Sequence, residues 1–339
     1  MNRILPDRDA PDLIAAIRRL SRGAVTVIGD AMLDRYIYGT VDRVSPEAPI
    51  QVLVEQREVA TPGGAGNVVR NLTALGAAVA FVSIVGDDQA GSDLTSLIGG
   101  QPGVEPWLLV QGSRTTTVKT RYIADGQQLL RADREETNPV HPKLVERMLR
   151  IAGDAMAATS VTVLSDYAKG LLAGDVPAKL MDLARKSGRM VIVDSRTADY
   201  APFAGADLIT PNRSELAAAT GMPTGTEAEI IAAATVLRDR HRFAAVLVTR
   251  GSDGMTLLTG SHIYHFPAEA AVVVDLSGVG DTVIATLAAG LACGLDLPVA
   301  VRLSNIAAGI VVGKPGIMTA TQDELVNELV PGHTVAAGR

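Results

Sequence analysis

Asp281 closes a Gly278-Val279-Gly280 turn and stands directly ahead of residues 282–295, a run without a single charge. Glycines before a helix leave backbone N–H groups bare, and the helix dipole adds positive potential, so the turn can cradle an anion. A carboxylate beside such a cradle can take a proton from an attacking hydroxyl. Base and charge stabiliser together are what phosphoryl transfer needs. Taken alone, an Asp in the first turn of a helix is also an ordinary N-terminal charge. Counting removes the competing glycine motifs. Val283 stands where a dinucleotide-binding G-x-G-x-x-G needs glycine, and Val69 does the same after Gly64-Ala65-Gly66. Residues 309–315, GIVVGKP, fall one residue short of a P-loop and stop at Pro315.

Two further stretches carry polar groups at turns. In TPGGAGNVVRNLTALG, residues 61–76, Gly63 and Gly64 let the backbone approach a ligand closely, and Asn67 opens the following helix. In GDAMLD, residues 29–34, Asp30 and Asp34 can accept hydrogen bonds from sugar hydroxyls; a solvated turn explains them equally well.

Positioning these groups requires a frame. Short β-branched runs alternate with Ala/Leu-rich periodic segments, which predicts a mainly parallel sheet covered by helices. Strands are expected at 25–30, 80–86, 161–166, 190–195, 207–212 and 244–251. Helices are expected at 64–76, 142–158, 176–187, 213–220, 227–241, 281–294 and 298–312. Many of these strands end in Asp, Asn, Gly or Thr, on the side where open α/β sheets bind ligands. Residues 35–60 and 105–133 lack helical period and predict a small β-sheet flap built from two excursions of one domain spanning 1–339. His262 and His265 fall in a late strand or hairpin, and the histidines show no metal-ligand spacing.

Composition narrows the function classes. The 339 residues are 47% hydrophobic but only 3% aromatic, and 31 basic against 37 acidic residues give a net charge of -6. Both values argue against a nucleic-acid partner. A lone cysteine, Cys293, rules out a disulfide framework and fits a reducing cytoplasm. The charged N-terminal residues predict no leader, and the 282–295 run is too short to span a bilayer.

The G-D-x-x-x-D strand end, the GG-x-G-N loop, Pro211-Asn212 with Glu215, and the late D-x-x-G-x-G-D-T occur in an order that resembles the ribokinase-like (PfkB) sugar kinases over nearly the whole chain. More narrowly, GDAMLDRYIYGTVDRVSPEAPIQVL, SDYAKGLL and GDTVIATLAAGLA resemble the heptose 7-phosphate 1-kinases, in a free-standing form without a nucleotidyltransferase domain. The resemblance implies a three-layer sandwich and ATP-dependent phosphorylation of D-glycero-β-D-manno-heptose 7-phosphate at C1, a step towards lipopolysaccharide. It implies Asp281 as base, with the backbone of Gly278, Val279 and Gly280 as anion hole. The sugar would meet Asp34, Gly63, Gly64 and Asn67. Its distal phosphate would meet Arg121, Arg131 and Lys169, with Asp166 binding a sugar hydroxyl or orienting Lys169. ATP would lie against Thr249, Gly251, Gly254 and Asn305. Mg²⁺ would be held through water by Asn212 and Glu215, which could instead form a helix capping box. Asp275 and Ser277 resemble a monovalent-cation position, for K⁺. A homodimer through the flaps is also implied. The family's usual DVTGAGDT differs here at Leu276, Ser277 and Val279, and Gly66 replaces the usual alanine; none of these changes removes a functional group. Two other readings stand beside this one: another sugar or nucleoside kinase of the same fold, or a catalytically silent sugar-binding regulator.

Overall fold

The computed structural model of the chain describes residues 2–3, 10–269 and 272–330. The remainder of the expected 1–339 domain, including most of the N-terminal stretch read for a leader, lies outside the described residues. The main sheet is built from β-branched runs that are buried on both faces, such as Ala24–Gly29, Val161–Asp166 and Met190–Ser195. Its order runs Asn2–Arg3, Ile263–Phe266, Met255–Thr259, Ala245–Thr249, Leu208–Ile209, Met190–Ser195, Val161–Asp166, Ala24–Gly29, Ala78–Gly86, Val104–Gln111. All pairings are parallel except the two that Met255–Thr259 makes. Ala24–Gly29 comes first of the central strands and pairs with Ala78–Gly86 on one side and Val161–Asp166 on the other. The chain reverses its direction of winding there, and open α/β sheets form their crevice at such a point.

Helices cover both faces, and a separate apolar core fills each side. One core joins Ala65–Ala74, Val279–Ala292 and Leu297–Val312 to the sheet; the other holds Pro142–Ala158, Val176–Ser187 and Glu227–His241. Most of the uncharged run lies in the buried helix Val279–Ala292, sandwiched between Ala65–Ala74 and Leu297–Val312. Val283, Ile284 and Leu287 are almost fully buried there, each worth about 1.5–3 kcal/mol in transfer from water. No helix among the described residues is long and apolar enough to cross a membrane.

The second sheet has the order Gln51–Gly64, Ala31–Val44, Val118–Ala124, Gln127–Arg134. The second excursion of the flap begins later than the expected residue 105. Val104–Gln111 pairs in parallel with Ala78–Gly86 as an edge strand of the main sheet, so the second excursion enters the flap only at Val118. Three helices, Ala10–Arg19, Gln89–Gly99 and Gln322–Leu329, fall outside the segments expected to be helical.

Candidate active site

The strand ends and the flap enclose a cleft of about 900 Å³. Asp34, Gly64, Arg121 and Arg131 line its flap side, Gly278, Val279, Gly280 and Asp281 its floor, and Asn212, Glu215, Thr249, Gly251, Gly254 and Asn305 its far side. Residues separated by more than two hundred positions, such as Asp34 and Asn305, thus meet at one crevice. Ser277 also lines it, whereas Gly63, Asn67, Asp166, Lys169 and Asp275 do not.

The floor is built from the Gly278-Val279-Gly280 turn. Gly278 caps the helix with φ of 76°, the left-handed region that glycine enters without strain. A Cβ there would lie 2.7 Å from Asn67 Nδ2. The amides of Gly280 and Asp281 fall in the first turn, ahead of any carbonyl four residues back within the helix. Asp281 itself is buried. Asn67 Nδ2 donates to its Oδ2 at 2.8 Å, and the Tyr167 hydroxyl donates to its Oδ1. Burial pushes the Asp281 carboxyl up to about 7, against the pull of those two hydrogen bonds. A second tie, Thr282 Oγ1 to Asn71 Oδ1 at 2.8 Å, fixes this helix to Ala65–Ala74.

On the flap side, Asp34 is buried and accepts a hydrogen bond from Arg121 Nη1 at 2.5 Å. Gly63 backs this carboxylate so closely that a Cβ would sit 1.8 Å from Asp34 Oδ2. Arg121 is therefore committed to Asp34, with its guanidinium 5.1 Å from the Tyr36 ring centroid. Arg131 pairs with Asp133 at 3.0 Å and keeps half its side chain exposed. Lys169 bonds Glu135 at 2.8 Å, and Glu135 also accepts from Lys119 at 2.8 Å. Lys119 lines the cleft although its sequence context gives no sign of it.

Two carboxylates depart from expectation. Asp30 does not face a ligand: its oxygens accept the backbone amides of Tyr167, Lys169 and Leu171 at 3.0, 3.0 and 3.1 Å. Asp166 accepts from Ser195 Oγ at 2.7 Å and from the Ala168 amide at 2.9 Å, and reaches neither the cleft nor the Lys169 ammonium. Both clamp the loop after Val161–Asp166. A strand-end Asp looks the same in sequence whether it faces ligand or backbone.

Across the cleft, Asn212 and Glu215 form the capping box of helix Arg213–Thr220, Asn212 Oδ1 accepting the Glu215 amide at 2.9 Å and Glu215 Oε2 the Asn212 amide at 2.8 Å. Glu215 Oε1 also accepts from Arg196. Asp194 lines the cleft, and its Oδ2 is buried with no hydrogen-bond partner; Arg196 stands 3.8 Å away. Burial raises the Asp194 carboxyl above the usual range although Arg196 pulls it down. Asn305 donates to the Pro267 carbonyl at 2.6 Å. Asp275 accepts the Ser277 amide at 2.8 Å and the Gly316 amide at 3.0 Å, joining the loop before the turn to the loop after Leu297–Val312. Tyr167, Asp194, Arg196 and Lys119 escape sequence reasoning because each gains meaning only from a neighbour distant in the chain.

The model of the pfkB family of carbohydrate kinases matches residues 23–324. The chain belongs to that family. It is a carbohydrate kinase, and the expected α/β architecture, a mostly parallel sheet with a smaller second sheet, is the one found. Its curated relatives include the bifunctional protein HldE of Acidiphilium cryptum, 62% identical over 327 residues, covering 96% of this chain and 67% of that protein. HldE of Paramagnetospirillum magneticum is 51% identical over 315 residues, 93% of this chain and 64% of the relative. The kinase thus spans about two thirds of the length of these relatives. Among solved structures, Arabidopsis thaliana ribokinase complexed with ribose and ATP superposes with a TM-score of 0.71 at 22% identity, covering 91% of this chain and 98% of that one. Escherichia coli phosphofructokinase-2 with substrates and products gives 0.74 at 19%, with the same coverage. At these identities the structural likeness speaks for the fold.

Proposed function

We propose that this kinase transfers the γ-phosphoryl group of ATP to the C1 hydroxyl of D-glycero-β-D-manno-heptose 7-phosphate. The observation that carries the reading is Asp281, a buried carboxyl raised to about 7, at the mouth of a glycine turn that faces the cleft. A base whose ionisation falls near neutrality is matched to its task. Asp281 takes the proton as the sugar O–H breaks, the sugar oxygen forms the new P–O bond, and ADP leaves with the electrons of the old one. An anomeric hydroxyl is more acidic than an ordinary alcohol, which lowers the demand on the base. The amides of Gly280 and Asp281 stabilise charge on the moving phosphoryl oxygens, whereas that of Val279 already donates to the Leu276 carbonyl at 3.5 Å.

Asp34 orients the sugar beside Gly64, and Asn67 acts through Asp281, to which it donates. The 7-phosphate meets Arg131 and Lys119, with Lys169 tied to Lys119 through Glu135. Arg121 acts through Asp34, to which it is already bonded. The nucleotide lies along Thr249, Gly251, Gly254 and Asn305. Bound with it, Mg²⁺ would neutralise charge on the phosphates; the unpartnered Oδ2 of Asp194, with Asn212 and Glu215, offers the hard oxygen donors that suit that ion. Asp275 and Ser277 would hold K⁺ on lone pairs that their backbone contacts leave free. The same reading makes the enzyme a cytoplasmic homodimer joined through the flaps, a contact favoured by the exposed Val44, Ile50 and Leu130.

The test is ADP release measured against a panel of free and phosphorylated sugars. Heptose 7-phosphate should give the highest kcat/KM. A preference for an unphosphorylated sugar or a nucleoside would replace this substrate, and no transfer to any sugar would leave a silent binder.

A further inference from the structure

Resting on the reading of Asp281 as base, we propose that Tyr167 is its positioning residue, a phenol that donates to one carboxylate oxygen throughout the proton transfer and holds the carboxylate towards the sugar. The loop that carries it is built for that placement. Asp30, buried at the end of Ala24–Gly29, accepts the amides of Tyr167, Lys169 and Leu171, and Asp166 accepts that of Ala168. Ala168 stands at φ of 55°, a conformation an alanine keeps only where its surroundings over-determine it. Two buried carboxylates and one strained residue are thereby devoted to a loop whose side chain reaches Asp281 across the sheet. Neither carboxylate lines the cleft, and their hydrogen bonds to the backbone amides fix this loop.

The ring is held as well. Arg196 lies 5.2 Å from the Tyr167 ring centroid, and its other contacts are Glu215 and Asp194 on the nucleotide side of the cleft. Burial and the neighbouring Asp281 charge push the Tyr167 phenol well above its ordinary value, so it stays protonated and donates at every pH the enzyme meets. A donor aimed at a carboxylate favours the charged form. The other groups around Asp281 are Asp194, which disfavours its charge, Arg196 and Arg70, which favour it, and the neutral amide of Asn67. Removing only the hydroxyl therefore leaves Asp281 harder to ionise while the stack under Arg196 remains.

Tyr167→Phe tests this with two readings. The first is the titration of the Asp281 carboxyl carbon by NMR, identified by its loss in Asp281→Asn. It should move upward by about one unit or more in Tyr167→Phe, since a hydrogen bond to a charged group is worth that much. The second is the pH profile of kcat with heptose 7-phosphate. Its acid limb should move the same way, giving a loss of roughly tenfold below the limb that recovers at high pH, with KM for ATP unchanged. An unmoved titration, or a loss equal at every pH, would overturn the positioning role. If the carboxyl titration moves but the wild-type protein phosphorylates no sugar, the arrangement stands and the kinase reading of the site fails by itself.

Discussion

In the main sheet the strand ends deliver carboxylates that are almost wholly buried, Asp30, Asp166 and Asp194 among them, whereas the flap strand Gln127–Arg134 is exposed along its whole length and carries its charges in pairs near the surface. The two regions use charge differently. Around Asp281 every partner is fixed by backbone or by a buried hydrogen bond, and burial sets the ionisation. Lys119 and Arg131 of the flap, with Lys169 of the loop after Val161–Asp166, share Asp133 and Glu135, and the lysine contacts hold the Glu135 carboxyl below its usual range. Arg131 keeps half its side chain exposed, and an exposed ion pair is worth only about 0–1 kcal/mol, so this cation can exchange Asp133 for a ligand phosphate at little cost. Burial and fixed partners set the charges of the floor, whereas shared ion pairs set those beside the flap.

Asp281→Asn should break the floor most severely. Turnover is expected to fall by roughly 10²–10⁴-fold while binding of a non-hydrolysable ATP analogue persists. Steady-state kinetics beside calorimetry measure both, and near-normal turnover would remove Asp281 from the role of base. Gly278→Ala comes next. The new Cβ meets Asn67 and must adopt a positive φ, so stability should fall by about 1–3 kcal/mol and turnover by at least tenfold, read by denaturant unfolding and kinetics. Unchanged values would show that the turn adapts.

The flap side should show smaller and more selective effects. Lys119→Ala or Arg131→Ala should reduce kcat/KM for the sugar 7-phosphate by roughly tenfold, and far less for an unphosphorylated analogue. Equal losses on the two sugars would place these cations away from the phosphate. A separate prediction concerns folding. Folded Asp281 keeps its proton up to about pH 7, whereas the unfolded carboxyl releases it near 3.8, so stability declines as pH rises between those values. Relative to wild type, Asp281→Asn should therefore melt higher at pH 8 than at pH 5. A difference independent of pH would mean that the carboxyl titrates normally.

Much of the floor is legible in the sequence because its signals are local. Gly278 and Asp281 announce an anion turn within a few residues, and the paired glycines place Asn67 at a helix start. Strand and helix periods give the frame for the same reason. What is lost depends on partners far along the chain. The hydroxyl of Tyr167 matters only because Asp281, 114 positions on, lies against it. Asp30 and Asp166 look like ligand-facing strand ends, yet they face backbone amides. Val104–Gln111 has the local pattern of any exposed strand, and only its pairing with Ala78–Gly86 assigns it to the main sheet instead of the flap. Asn212 and Glu215 satisfy the capping box and line the cleft at once, so the two readings of that motif need not compete.

The most direct measurement is phosphorus NMR of heptose 7-phosphate incubated with ATP, Mg²⁺ and the kinase. The account predicts that a second sugar phosphate grows in, coupled to the anomeric proton, in step with ADP, and that Asp281→Asn abolishes its growth on the same timescale. A new phosphate at another carbon, an unaltered sugar beside wild-type protein that binds ATP, or equal growth with Asp281→Asn would contradict it.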